Sequence, residues 1–218
     1  MELSQYIEHT ILKPTATPDD IKKLVEEACK HNFLGVCVNP CYVKLAKDLV
    51  KEANKDIKVV CVVNFPLGSN KVSTTIQQIE EAIIDGADEI DTVINIGAIK
   101  AGNYKQVADE LVLQKEACKD KVLKVILETD LLTSAEIKVA CLNCMTANVD
   151  FVKTSTGFVK GGVGAQVEDV KLMYETVKDA GLEVKASGGV RDIEKAKLVI
   201  EKGASRIGTS SSIKIVEG

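Results

Sequence analysis

The chain alternates two patterns of apolar and polar positions. Short apolar runs rich in Val and Ile recur along it, each followed by a longer stretch in which apolar residues return every three or four positions. The first pattern suits strands buried on both faces, the second amphipathic helices. The runs predict strands at His9–Leu12, Phe33–Val38, Ile57–Val63, Glu89–Ile94, Leu123–Leu127, Phe151–Thr154, Leu182–Ala186 and Arg206–Gly208, spaced by about one βαβ unit. Thr17-Pro18-Asp19-Asp20 reads as an N-cap with proline in the first turn, and Thr133-Ser134-Ala135-Glu136 as a capping box. Gly86, Gly181 and Gly203 stand where helices end ahead of the next strand. With no Pro/Ser-rich linker to divide the chain, these units predict an α/β fold: a (β/α)8 TIM barrel, single domain over residues 1–218, with a short N-terminal helix. A doubly wound sheet uses the same units, but eight short strands in a chain of this length favour the closed barrel.

Composition narrows the partners. The 218 residues are 45% hydrophobic and carry a net charge of -4, without the basic excess of a nucleic-acid or membrane-surface binder. A small-molecule partner is the expectation. The opening residues MELSQYIEHTILKP lack a basic region followed by an apolar run, and the apolar stretch Val59–Val63 is far too short to cross a bilayer. A soluble, cytoplasmic protein is therefore expected. The seven cysteines form an odd set, several within apolar segments, which suits buried reduced thiols. Cys141-Leu-Asn-Cys144 has no second pair and there are only two histidines, so no metal site is expected. Nor is a dinucleotide cofactor, since GVGAQV lacks the third glycine of the fingerprint.

In a barrel of this kind the site lies at the C-terminal ends of the strands. Those ends are polar here: Lys13, Asn39, Asn64, Asn95, Glu128, Asp130, Ser155, Ser187 and Thr209 to Ser212. Loops are polar in any protein, but Asp91, Lys153 and Lys185 lie within strands, where an unpaired charge is costly. Period two puts Phe151 with Lys153 on one face, and Glu183, Lys185 and Ser187 on one face of the next strand, so both lysines can point inward. Two ammonium groups close together in a desolvated site disfavour each other's charged form, and a free amine can attack a carbonyl to form a Schiff base. Asp91 supplies a carboxylate for proton transfer. Thr154-Ser-Thr-Gly157, Ser187-Gly188-Gly189 and Gly208-Thr-Ser-Ser211 offer the N–H groups and hydroxyls of a phosphate site.

The stretches DEIDTVINIGA, DFVKTSTGF and LEVKASGGVRD, with FLGVCVNP upstream and GTSSS near the end, resemble the deoxyribose-phosphate aldolase family, class I aldolases on a (β/α)8 barrel. The similarity runs over essentially the whole chain. It implies reversible cleavage of 2-deoxy-D-ribose 5-phosphate to D-glyceraldehyde 3-phosphate and acetaldehyde, without metal or other cofactor. By that resemblance Lys153 forms the Schiff base, Lys185 is the second proton-handling lysine and Asp91 the acid/base partner. Gly157, Gly188, Gly189, Gly208, Ser210 and Ser211 hold the phosphate, with Cys37 and Thr156 near the substrate. Alternatives are another Schiff-base aldolase, or a catalytically silent phosphosugar-binding barrel. Two features depart from the family pattern. Residues 159–164 do not follow the usual Thr-Gly-Gly-Ala pattern, and Lys160 within them reads as a solvated loop charge. The chain ends at IVEG rather than in the tyrosine tail that helps proton transfer in some relatives, so proton relay is expected to do without one. A homodimer or higher homo-oligomer is the default expectation.

Overall fold

The computed structural model describes residues 2–218. Eight strands alternate with helices in chain order. They are β1 (Ile7–Ile11), β2 (Gly35–Val38), β3 (Lys58–Val63), β4 (Glu89–Val93), β5 (Val122–Ile126), β6 (Phe151–Lys153), β7 (Glu183–Ser187) and β8 (Ala204–Thr209). Each pairs in parallel with its sequence neighbours, and β1 pairs with β8, closing the barrel. Between them lie α1 (Pro18–His31), α2 (Val43–Glu52), α3 (Val72–Ile84), α4 (Ile96–Lys100), α5 (Tyr104–Cys118), α6 (Ser134–Thr146), α7 (Val167–Val177) and α8 (Ile193–Glu201), with α9 (Ser212–Glu217) after β8. The expected N-terminal helix is a single 3-10 turn, Leu3–Tyr6.

Local chemistry sets the element boundaries. Thr17 and Thr133 each accept the backbone N–H three residues on, while Asp20 and Glu136 reach back to the cap N–H. Both capping boxes thus satisfy helix-end donors that would otherwise lack partners. Gly203 follows α8 with φ +110°, and a Cβ there would sit 2.2 Å from Cγ of Tyr174, so only glycine turns the chain onto β8 at that point.

Period-two alternation sorts the strand residues. The outward set, including Ile7, Val36, Val59, Cys61, Ile90, Val125, Val152, Val184 and Ile207, joins the main apolar core beneath the helices. On the inner side, Cys37, Val60 and Val62 form a separate small cluster against Leu12 and Phe65. Much of the remaining lumen is charged: Glu8, Asp91, Lys124 and Lys185 are each 0% exposed. Barrel interiors are ordinarily layered with branched aliphatics, so a charged lumen marks this one for chemistry. Gly208 makes room for it, because a Cβ there would lie 3.0 Å from Cε of Lys185.

Candidate active site

Asp91 on β4 is the hub. Its Oδ2 accepts from Lys153 Nζ at 2.7 Å and from Lys185 Nζ at 2.6 Å, while Oδ1 accepts from Lys124 Nζ at 3.0 Å. The strand register explains the convergence: Asp91 pairs with Lys124 across β4–β5, and Lys153 with Lys185 across β6–β7. The three residues predicted from their embedded charges therefore meet at one carboxylate. Burial works against ionised Asp91, but Lys124, Lys153 and Lys185 outweigh it and hold the carboxyl well below its ordinary value.

Four further charges complete the cluster and were absent from the predicted set. Glu8 accepts a short bond from Lys185 and lies 3.4 Å from Lys124; Glu89 lies 2.5 Å from Lys124; Arg206 reaches Glu8 at 3.8 Å and Glu89 at 3.7 Å. Lys124 sits inside a predicted strand and meets the same criterion that selects Asp91. Glu8 lies one residue ahead of the predicted start of the first strand, and β1 in fact begins at Ile7. Phe151 lies under these cations, with the Arg206 guanidinium 5.4 Å from its ring centroid. Glu183, expected on the same face as Lys185, is exposed near the start of β7.

The electrostatics add a partner that a pair of lysines alone would lack. A lone pair of lysines would depress each other, but a carboxylate stands between these two. Burial disfavours the Lys185 ammonium, yet Asp91 and Glu8 overcome this and its pKa is raised. Lys124 is raised likewise, with Asp91, Glu8 and Glu89 opposing its burial. Access then separates the two lysines. A cavity of about 480 Å³ opens over the C-terminal strand ends, and Lys153 lines it, whereas Lys185 does not. A substrate carbonyl can reach Lys153 from solvent; Lys185 lies beneath it, sharing the same Asp91 oxygen.

The predicted phosphate residues line that cavity together: Thr156, Gly157, Gly188, Gly189, Gly208, Ser210 and Ser211. Its wall carries the cations Lys13, Lys153 and Arg191 and no carboxylate. Adjacent turns are cross-linked, since Ser187 N donates to Thr154 Oγ1 at 2.9 Å and Thr154 Oγ1 donates to the Ser187 carbonyl at 2.9 Å. Gly189 has φ +70°, and a Cβ there would stand 2.2 Å from the Val163 carbonyl oxygen. Cys37 is not part of the cavity wall. It is buried beside Glu8 and Asp91, and burial pushes its thiol up to about 11. Ligand atoms of Glu8, Cys37 and Asp91 lie within 4.8 Å of one another, but both carboxylates already neutralise lysines, which leaves a cation there poorly served.

Two carboxylates that sequence reasoning left as strand-end polarity brace the site. Glu128, with φ +60° and only 2% exposed, accepts from Thr156 N at 3.2 Å and from the Thr156 hydroxyl through a short bond; burial raises its carboxyl. A buried non-glycine residue held at positive φ beside a cavity is the kind of strain that clusters at functional sites. Asp130 accepts from Val163 N at 3.0 Å and Gly164 N at 2.9 Å, fixing the unusual 159–164 loop. Lys160 in that loop is exposed, and no ion pair involves it among the described residues.

Comparison with known proteins agrees with this geometry. The family model for DeoC/LacD family aldolases matches residues 4–215. A deoxyribose-phosphate aldolase of Finegoldia magna is 52% identical over 218 residues, the full length of both chains. The solved structure of QR15, an aldolase, superposes with a TM-score of 0.93 at 42% identity, covering 100% of this chain and 95% of that one. A tetrameric deoxyribose phosphate aldolase from Aeropyrum pernix has a TM-score of 0.87 at 32% identity, covering 99% and 89%. With a match across nearly its whole length and a charged barrel lumen opening on a lysine, the chain belongs to the DeoC/LacD family of aldolases.

Proposed function

We propose that this chain is a class I aldolase that reversibly cleaves 2-deoxy-D-ribose 5-phosphate to D-glyceraldehyde 3-phosphate and acetaldehyde. The observation that carries the reading is a lysine, Lys153, at the floor of a cavity whose wall holds cations and no carboxylate, with a buried carboxylate and a second lysine directly behind it. Lys153 Nζ adds to C1 of the open-chain aldehyde, and loss of water gives an iminium. Removal of the C3 hydroxyl proton breaks the C2–C3 bond, whose electron pair moves into the iminium to form an enamine. Protonation at C2 and hydrolysis release acetaldehyde and restore the amine. Asp91 and Lys185 move the protons: Asp91 Oδ2 touches Nζ of both lysines, so one oxygen can take the Lys153 proton that frees its amine and links the nucleophile to its neighbour. Thr156, Gly157, Gly188, Gly189, Gly208, Ser210 and Ser211 form the phosphate wall, and Cys37 packs behind the reacting end.

Residues 1–218 work as one barrel domain in this reading. The tetrameric relative supports self-association, which the mass of the protein in solution would show. All seven cysteines are free thiols, in keeping with a reducing cytoplasm, and no helix among the described residues is long and apolar enough to cross a membrane.

The test is to incubate the protein with acetaldehyde and borohydride and map the product by mass spectrometry, alongside an assay of deoxyribose 5-phosphate cleavage. A reduced two-carbon adduct on Lys153 together with cleavage is expected. Cleavage with the adduct on Lys185 would overturn the assignment of the nucleophile. An adduct on Lys153 without cleavage would overturn the substrate.

A further inference from the structure

On the outer side of β1 lies a second polar chain, buried at His9 and Ser212 and half-buried at Glu27, that the reaction does not use. His9 is 5% exposed and alternates with Glu8, so it faces the helix layer while Glu8 faces the lumen. Its Nδ1 lies 2.9 Å from Ser212 Oγ and its Nε2 lies 2.9 Å from Glu27 Oε2. The ring thereby joins β1, α1 and the start of α9. Ser212 is 0% exposed, too deep for a nucleophile to be reached by substrate. A serine–histidine–glutamate arrangement here is a brace and not a hydrolytic site.

Hydrogen-bond chemistry fixes how the brace works. Glu27, as a carboxylate, accepts only, so Nε2 must carry the proton that faces it. Ser212 has one hydroxyl proton and two acceptors in reach, His9 Nδ1 and the Thr209 carbonyl oxygen at 3.1 Å. With Nδ1 unprotonated, that one proton bridges Ser212 to His9 or to Thr209 at a given moment, while the β1–β8 register keeps Ser212 within reach of both. Thr209 in turn donates its hydroxyl to the Val190 carbonyl at 2.7 Å and accepts from Ser211 N at 3.0 Å. The chain Glu27–His9–Ser212–Thr209 thus ends on both phosphate-wall turns, the one after β7 and the one after β8. His9 pairs with Thr209 in the β1–β8 register, which keeps the two ends aligned.

We propose that His9, clamped by Glu27, is a positioning residue for the phosphate wall: through Ser212 and Thr209 it holds the Gly188–Val190 and Gly208–Ser211 turns at the spacing a phosphate monoester needs. The inference rests on the phosphosugar reading above. It touches neither Lys153 nor Asp91, so its loss changes affinity for the phosphate end and leaves the bond-breaking step alone.

The discriminating experiment compares 2-deoxy-D-ribose 5-phosphate with unphosphorylated 2-deoxy-D-ribose in His9→Phe, which keeps an aromatic ring against Phe33, and in the milder Ser212→Ala. Loss of a buried hydrogen bond at the brace raises KM for the phosphorylated substrate by about fivefold, with kcat within about twofold. Cleavage of the unphosphorylated sugar and borohydride trapping of acetaldehyde stay at parental levels. Should His9→Phe fail to fold, Ser212→Ala carries the test, since it removes a single oxygen. An equal fall for both sugars, or an unchanged KM for the phosphate ester in folded Ser212→Ala, would overturn the proposal. Normal trapping without cleavage of the parent protein would instead sink the substrate reading on which it rests.

Discussion

Replacing Asp91 by Asn probes the charged lumen most directly. The substitution is nearly isosteric, so packing around a residue that is 0% exposed stays intact. What changes is charge: the carboxylate that receives Lys124 at 3.0 Å, Lys153 at 2.7 Å and Lys185 at 2.6 Å becomes neutral and presents a donor of its own. Around it stand the cations Lys124, Lys153, Lys185 and Arg206, leaving only Glu8 and Glu89 as anions. Removing one partner from a buried ion cluster costs about 3–5 kcal/mol. At about 2–4 °C per kcal/mol for a domain of this size, the melting temperature falls by roughly 10 °C. The protein still folds, since domain stabilities are on the order of 5–15 kcal/mol. Acid response sharpens the test. The folded-state pKa of Asp91 lies well below its ordinary 3.8, so its contribution is fully present above the unfolded value and is lost as pH falls through the folded one. Parent protein therefore loses stability on acidification below about pH 4 more steeply than Asp91→Asn does. Thermal melts followed by circular dichroism between neutral and acidic pH, with cleavage assays at neutral pH, read all three quantities. Loss of proton handling lowers kcat by about 100-fold or more. A variant that melts within about 2 °C of the parent would refute the claim that Asp91 balances the lumen charges.

Gly164→Ala places a Cβ 2.3 Å from the Gly188 carbonyl carbon at a residue with φ +73°; the 159–164 loop must shift, and KM for the phosphorylated substrate rises by about tenfold or more, measured by steady-state kinetics. Glu128→Gln weakens the brace on Thr156 and lowers kcat/KM by about tenfold while borohydride trapping on Lys153 persists. Glu136 is held down to about 2 by the Thr133 backbone N–H and then by Lys100, against an ordinary 4.5. The α6 capping box is therefore most stabilising above pH 4.5 and fades as pH falls towards 2, and Glu136→Gln flattens that part of the melting-temperature profile.

Much of the fold was legible because it rests on local chemistry. Strand predictions land within about two residues for all eight strands, since parallel barrel strands are apolar on both faces and stand out from amphipathic helices. The N-cap at Thr17, the capping box at Thr133 and the turn at Gly203 depend on neighbours in sequence and were readable for that reason. Lys124 was equally readable by the embedded-charge rule. Glu8 was not, because strand ends fray in any pattern reading and it lay just outside.

By itself the sequence singled out three charges that are out of place: a lysine in KTSTG, a lysine in KASGG and an aspartate in EIDTV are unusual where an apolar strand should run. Strand alternation left the two lysines equivalent and only the family resemblance told them apart, because alternation gives the face a side chain takes and says nothing of its depth. Tertiary structure gives them different access. Lys153 reaches the cavity while Lys185 is sealed beneath it against Glu8 and Asp91. It also sets the direction of the Lys185 shift, which is upward, because the potential at a buried charge is set by its nearest partners, and those come from strands as distant in sequence as β1 and β4.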